Sequence, residues 1–410
     1  MTLVTGRPAA VAAGLSPQPA PMREVVEELA ADRYAGRRVG TAGGRAAAAW
    51  LADLLREAGA RVRLDEFPVT GTVREVYGVP TLSWPAGGTG ALVFRRDFCE
   101  HLASADLPDP RTGRLSTMDD ADLTGAWVLD GRYSPRRAED AVTRGAVGIL
   151  VPRDTDAAGW MPKMIAGPTP VALPVLAVRT DLYERMRTGA QGSTVTAAVP
   201  VRTVDVTGVN VHGEFRPPLG GLTLLLTAHF DGVGDDPDGL RFPAACDNAA
   251  GVAAVIEAAR ILHRVLPDGI GLGVALLDGE EAGATGSAWH APTVEPGTLV
   301  INLDGAARLG QAAAVEAGGP AGPLLAALDL AGRQTGVPLR AQAMPSDNRR
   351  YAVAGLPAVG IGMGMPGYQT PAENPERVED ATLTVAARLL TATAVNLADG
   401  SNPRRPDPRR

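Results

Sequence analysis

Apolar residues recur along this chain with two alternating periods. Met22, Val25, Val26 and Leu29 fall on one helical face. After the glycine-rich turn VGTAGG, Trp50, Leu51, Leu54 and Leu55 do so again, so two helices are predicted within 22–60, the second over 46–58. From Arg61 to Phe67 polar and apolar residues alternate, the period of a half-buried strand. Over 70–200 the texture changes to short β-like runs broken by many Pro and Gly: ALVF at 91–94, AWVLD at 126–130, VGILV at 147–151 and PVLAV at 174–178. One helix is expected there, near 135–145, ended by Gly145 ahead of the next strand.

Over 205–398 longer apolar runs alternate with amphipathic stretches. GLTLLLTAHFD, GIGLGVALLDGEE, GTLVINLDG and LPAVGIGMG read as buried strands, and GVAAVIEAARILHRV, PLLAALDLAGRQTG and ATLTVAARLLTATAVNLADG as helices. Strands alternating with helices predict an α/β three-layer sandwich with a mixed, mostly parallel sheet, plus a small β-rich insertion. The expected division is a flexible leader over 1–20, a discontinuous main domain over 21–69 and 201–398, an inserted domain over 70–200 and a disordered tail over 399–410. A chain of 410 residues is long for one core and comfortable for two.

Charge narrows the partners. The net charge of -7 argues against nucleic acid, whose phosphates need a basic footprint. The basic cluster Arg404, Arg405, Arg409 and Arg410 reads as a solvated tail. Cys99 and Cys246 lack C-x-x-C partners and are expected as free thiols. There is no run of 18 apolar residues, and Arg7 and two prolines interrupt what would be a signal-peptide core, so a cytoplasmic protein without a membrane partner is expected.

Candidate chemistry sits at the carboxyl ends of the predicted strands, where open α/β sheets bind ligands. His229 and Asp231 follow LLLTA, Glu280 and Glu281 follow VALLDG, Asp304 follows LVINL, and Asp247 precedes a helix. A lone strand-end Asp is often only a helix cap. Five carboxylates and one imidazole converging on one edge would repel unless cations neutralise them, and this ligand set suits zinc. One carboxylate can bridge two metals. Of the adjacent Glu280 and Glu281, one can bind metal while the other acts as general base. Asp231, two residues beyond His229 on an extended segment, can orient its second ring nitrogen.

Six ordered motifs, TAHFD, ACDNAAGVAAVIEAAR, LLDGEEAGATGS, VINLDG, SDNRRYAVAGLPAVGIG and YQTPAENPERVED, make the chain similar to the co-catalytic zinc aminopeptidases, a family that includes glutamate carboxypeptidase-like proteins and glutaminyl cyclases. DRYAGRRVGTAGG resembles that family's N-terminal turn, and AEDAVTRGAVGILVPRD resembles a protease-associated domain. The resemblance implies two zinc ions per chain. His229 and Asp304 would hold the first, Asp247 would bridge, Glu281 would hold the second, Glu280 would be the base and Asp231 would support His229.

One position departs from the pattern. The family's Tyr-His-Thr triplet is here Tyr368-Gln369-Thr370, and an amide oxygen is a poorer zinc ligand than imidazole. The second site is then weak or empty, or the enzyme works with one zinc, or activity is lost. Retention of Glu280 favours a working hydrolase. His101, His212, His263 and His290 offer no obvious replacement ligand, and Cys246, beside Asp247, reads as turn filling. Ser346, Asp347 and Tyr368 are candidates for substrate contact, as are Met363 and Met365; Arg37 and Thr41 could reach the rim or only shape a turn. The expected function is an aminopeptidase acting on peptides or peptide-like metabolites. The alternatives are a one-zinc acyl-transfer or cyclising enzyme and a catalytically impaired peptide-binding protein. Oligomeric state and side-chain preference are not legible.

Overall fold

The computed structural model describes residues 16–85, 92–189 and 192–401. The expected leader and tail lie largely outside them. Where described, Pro19–Leu29 is already a helix (α1) and the last helix runs to Ser401. The second predicted helix begins before its apolar stripe, at Ala42–Glu57 (α2), because Thr41 Oγ1 accepts the Gly44 N–H at 3.1 Å and caps it.

Among the described residues, eight strands build the main sheet: β1 (Arg61–Val76), β9 (Val201–Arg216), β10 (Thr223–His229), β11 (Gly271–Leu277), β12 (Leu299–Leu303), β13 (Ala313–Gly318), β14 (Leu339–Ala341) and β15 (Ala358–Gly362). Their order is β1-β9-β11-β10-β12-β15-β13-β14. The central four, β11, β10, β12 and β15, are mutually parallel; β1, β9 and β13 join antiparallel. Parallel strands covered on both faces must be apolar throughout, which is why TLLLTAH and LVINL carry no alternation.

Helices α5 (Ala250–Val265), α6 (Thr285–His290), α7 (Gly322–Thr335), α8 (Asn348–Val353) and α9 (Asp380–Ser401) complete the layers. Helix α5 is buried along almost its whole length, packed between the sheet and α1 and α9. By composition α9 is apolar enough to cross a membrane, yet 56% of that stretch is buried, against α5 and α7.

Among the described residues, a second sheet of seven strands forms the insertion: β2 (Thr81–Ser83), β3 (Phe98–Glu100), β4 (Leu107–Thr117), β5 (Ala126–Leu129), β6 (Gly148–Arg153), β7 (Val175–Arg179) and β8 (Thr194–Val199), in the order β2-β8-β4-β5-β6-β7-β3. Its core centres on Trp127, Phe98, Ile149 and Leu176. The expected helix is α3 (Pro135–Thr143). A second, α4 (Thr180–Thr188), escaped the sequence reading because TDLYERMRT buries only Leu182, Tyr183 and Met186. ALVF is not a strand: Phe94 makes only an isolated bridge to Phe98, and Ala91 lies outside the described residues. The boundary placed at residue 70 also moves, because β1 continues pairing with β9 to Val76↔Val201. The alternation of Arg61–Phe67 marked the strand but not how far its partner would extend it.

Buried charges tie the insertion to the main domain. Arg95, fully enclosed, donates from Nε to Asp236 Oδ2 at 2.6 Å and from Nη2 to Glu100 Oε1 at 2.9 Å. Lys163 Nζ reaches Asp236 Oδ1 at 3.1 Å and the carbonyls of Gly234 and Asp235 at 2.8 and 2.7 Å. Burial would raise the Asp236 carboxyl, but Arg95 and Lys163 hold it below the usual range.

Two more histidines sit away from the site in a shared groove. The ring centroids of His212 and His290 lie 4.2 Å apart with the planes tilted by 46°, with Asp65 Oδ2 3.5 Å from His212 Nε2 and Tyr351 Oη 2.9 Å from His290 Nδ1. Burial, with Arg63 nearby, lowers His212 to about 4; burial and the His212 charge lower His290 to about 3. These rings bind protons more readily in the unfolded chain. Their contribution to stability is therefore complete above the ordinary histidine range and declines as pH falls from about 6.5 towards 4. We expect urea stability to drop between pH 7 and pH 5, and His212→Gln to shrink that drop by about 1–2 kcal/mol. An unchanged drop would show that His212 is not held neutral.

Candidate metal centre

The site is built where the parallel strands end. His229 is the last residue of β10, Asp304 follows β12, and Glu280 and Glu281 lie on the turn after β11. Asp247 stands in an irregular turn just before α5. His229 Nε2 lies 3.0 Å from Asp247 Oδ1 and 3.3 Å from Asp304 Oδ1. Among the described residues, His229, Asp247 and Asp304 form the one group whose donor atoms all fall within 4.8 Å of each other.

Asp231 sets the orientation of this group. Its carboxylate Oδ1 is 3.5 Å from His229 Nδ1, and its main-chain carbonyl oxygen is 3.3 Å from the same nitrogen. The same carboxylate accepts the main-chain N–H of Glu280 at 3.0 Å and of Glu281 at 3.2 Å. One buried acid thus aims the imidazole and positions the Glu-Glu turn.

Burial and mutual repulsion dominate the electrostatics. Burial, then the Asp304 charge, pushes Asp247 up to about 6, partly offset by His229. Glu280 and Glu281 are raised well above the carboxylate range, first by burial and then by neighbouring acids, against the pull of His229. Burial would raise Asp304 too, but His229 and the Ser346 hydroxyl bring it below its ordinary value. An imidazole and two carboxylates on one point, ringed by acids that repel, is a donor set that fits a divalent transition metal.

Several residues that no sequence motif singled out hold this arrangement. Glu373 is buried; its Oε1 accepts the Asp247 N–H at 2.5 Å and its Oε2 the Gln369 N–H at 2.7 Å, joining Asp247 to the loop that carries Gln369. Asn248 Oδ1 accepts from Gly251 N and Gly305 N, both at 3.0 Å, while its Nδ2 donates to Leu303 O at 2.9 Å. Gly305 takes φ +81, which only a residue without a side chain adopts freely, so the chain can turn directly after Asp304. Thr227 Oγ1 donates to Asn302 Oδ1 at 2.7 Å, and Asn302 Nδ2 to Ser346 Oγ at 3.2 Å. Glu373 lies within YQTPAENPERVED, but nothing in the local pattern separates it from a surface acid.

Arg37 is neither at the rim nor a mere turn residue. Fully buried, it donates to the carbonyls of Phe230, Pro243 and Ala244 at 2.7, 2.9 and 2.8 Å and also to that of Leu29. Burial lowers it to about 10 against the raising charges of Glu373, Asp231, Asp247 and Glu281, so it underlies the site as a fixed cation. Ser346 and Asp347 are also enclosed: Ser346 supports Asp304, and Asp347, at the start of α8, is pushed up to about 7 by burial. Both are buried. Tyr368, 44% exposed, has open surface beside Gln369, and Met363 is buried. His101, His212, His263 and His290 stand outside the His229 group. Cys99 and Cys246 are buried free thiols, and burial beside Glu373 and Asp247 raises Cys246, so it stays protonated.

Comparison with known proteins agrees with this frame. Residues 210–394, the segment that carries every ligand described above, match the family model Peptidase family M28, and the resemblance read from the motifs is that of this family. A zinc aminopeptidase from Bacillus subtilis superposes with a TM-score of 0.73 over 96% of this chain and 97% of that one, at 19% identity. An aminopeptidase from Aneurinibacillus sp. strain AM-1 gives 0.68 over 92% and 93%, at 18% identity. Likeness at that identity establishes the fold. The probable lipoprotein aminopeptidase LpqL of Mycobacterium tuberculosis is 27% identical over 252 residues, 57% of this chain. The chain spans 46% and 36% of the lengths of the curated relatives it matches, under half of each.

Proposed function

We propose that this protein is a zinc-dependent aminopeptidase that removes N-terminal residues from peptides or peptide-like amides. The observation that carries the reading is the convergence of His229, Asp247 and Asp304 within 4.8 Å, with Glu280 on the adjoining turn. Bound there, zinc supplies Lewis acidity, polarising the scissile carbonyl and making water more acidic.

The chain's own residues do the proton work. Glu280 is half-buried and more exposed than its neighbour Glu281, so of the two Glu280 is assigned the proton transfer at the reacting carbon. Burial and the surrounding acids raise its proton affinity. It accepts a proton as a water oxygen bonds to the scissile carbonyl carbon, and returns that proton to the amide nitrogen as the C–N bond breaks. Asp231 keeps His229 aimed and the Glu280 main chain in place throughout. The relatives' printed descriptions as aminopeptidases support the choice of an N-terminal substrate.

The test is hydrolysis of a panel of aminoacyl p-nitroanilides by purified protein. We expect release of nitroaniline from free-amine substrates, its loss on chelation, its return with zinc, and little from N-acetylated analogues. Zinc-loaded protein that cleaves no member of the panel would remove the aminopeptidase reading and redirect attention to acyl transfer or peptide binding.

A further inference from the structure

Glu281 and Gln369 form a pair that the His229 group does not include. Gln369 Nε2 donates to Glu281 Oε2 at 2.5 Å. The loop that delivers Gln369 is held firmly: Glu373 Oε2 accepts its N–H at 2.7 Å, and its carbonyl accepts the Lys163 N–H of the insertion at 2.9 Å. Its backbone is left-handed, φ 53, a conformation uncommon outside glycine. Gln369 is 3% exposed and Glu281 8%, yet among the described residues Gln369 Oε1 has no hydrogen-bond partner.

This geometry disagrees with a second metal. The amide nitrogen is a donor without a free lone pair, and it turns N–H groups rather than a ligand atom towards Glu281 Oε2. What the pair leaves open is acceptor capacity: the remaining lone pairs of Glu281 and the orphaned Gln369 Oε1. Buried acceptors of that kind suit a compact cation carrying N–H donors. Charge points the same way. One divalent ion balances Asp247 and Asp304, while Arg37 is shared among Glu373, Asp231, Asp247 and Glu281, so acidic charge remains beside the metal group.

We propose that this chain holds one metal ion, on His229, Asp247 and Asp304, and that Glu281 with Gln369 Oε1 receives the α-ammonium of the substrate directly in place of a second metal. The proposal rests on the aminopeptidase reading for its ligand, but its metal count does not depend on turnover.

The experiment measures zinc per chain and zinc affinity by calorimetry in the wild type, Glu281→Gln and Gln369→His. Each zinc-loaded protein is then titrated with n-butylammonium, with n-butanol as the uncharged control. We expect one zinc in the wild type, one in Glu281→Gln and two in Gln369→His. Butylammonium binding should fall roughly tenfold in Glu281→Gln, the loss of one charge-assisted contact, while butanol binds no variant measurably. Two zinc ions of similar affinity in the wild type, loss of zinc in Glu281→Gln, or butylammonium binding indifferent to Glu281 would each overturn it. Failure of peptide hydrolysis with these zinc counts intact would count against the aminopeptidase reading alone.

Discussion

Glu280→Gln should lower kcat by about three orders of magnitude while zinc content and the unfolding midpoint stay at wild-type values. The neutral amide keeps the size of the side chain, and its main-chain N–H still bonds Asp231 Oδ1, so the turn is undisturbed. What disappears is a group able to take a proton from water and hand it to the leaving nitrogen. Because Glu280 is not one of the three clustered donors, metal binding should not follow turnover down. Turnover reduced less than about tenfold would transfer the proton work to another acid.

The largest expected effect on stability is far from the reacting atoms. Arg95→Ala should destabilise the protein by about 3–5 kcal/mol in urea titration, because it strands Glu100 and Asp236 in a buried setting. Lys163 remains 3.1 Å from Asp236 but burial already lowers its own proton affinity, so it cannot neutralise both acids. The double variant Arg95→Met with Asp236→Leu should recover part of the loss, since a buried pair replaced by apolar groups forfeits attraction and desolvation together. A single variant as stable as the wild type would mean that water reaches this junction freely. The same junction carries Lys163, whose main-chain N–H holds the Gln369 carbonyl, so Arg95→Ala should also loosen the pocket wall.

Much of the centre was legible because its ligands are local to the strands that carry them. A run of apolar residues ending in His or Asp marks a buried parallel strand and its carboxyl end at once, and the fold then brings those ends together whatever lies between. His229, Glu280, Glu281 and Asp304 fall in that class, and the structure places Asp247 among them. Arg37 shows the limit. Its place in DRYAGRR fits a turn, but only the packed molecule shows it beneath the site, bonded to carbonyls of residues 230, 243 and 244.

By itself, then, the sequence determined the alternation of strands and helices, the presence of a compositionally distinct insertion, the acids at the strand ends and the one altered ligand, because each is written in residues adjacent or periodic along the chain. Tertiary structure alone decided what Gln369, the residue at that position, bonds to. The Gln369–Glu281 hydrogen bond spans 88 positions, the Glu373–Asp247 bond 126 and the Arg95–Asp236 pair 141. No local period constrains such partners. They meet because the sheet order, the antiparallel reach of β1 along β9 and the docking of the insertion bring their main chains together, and burial then requires that each polar group be matched.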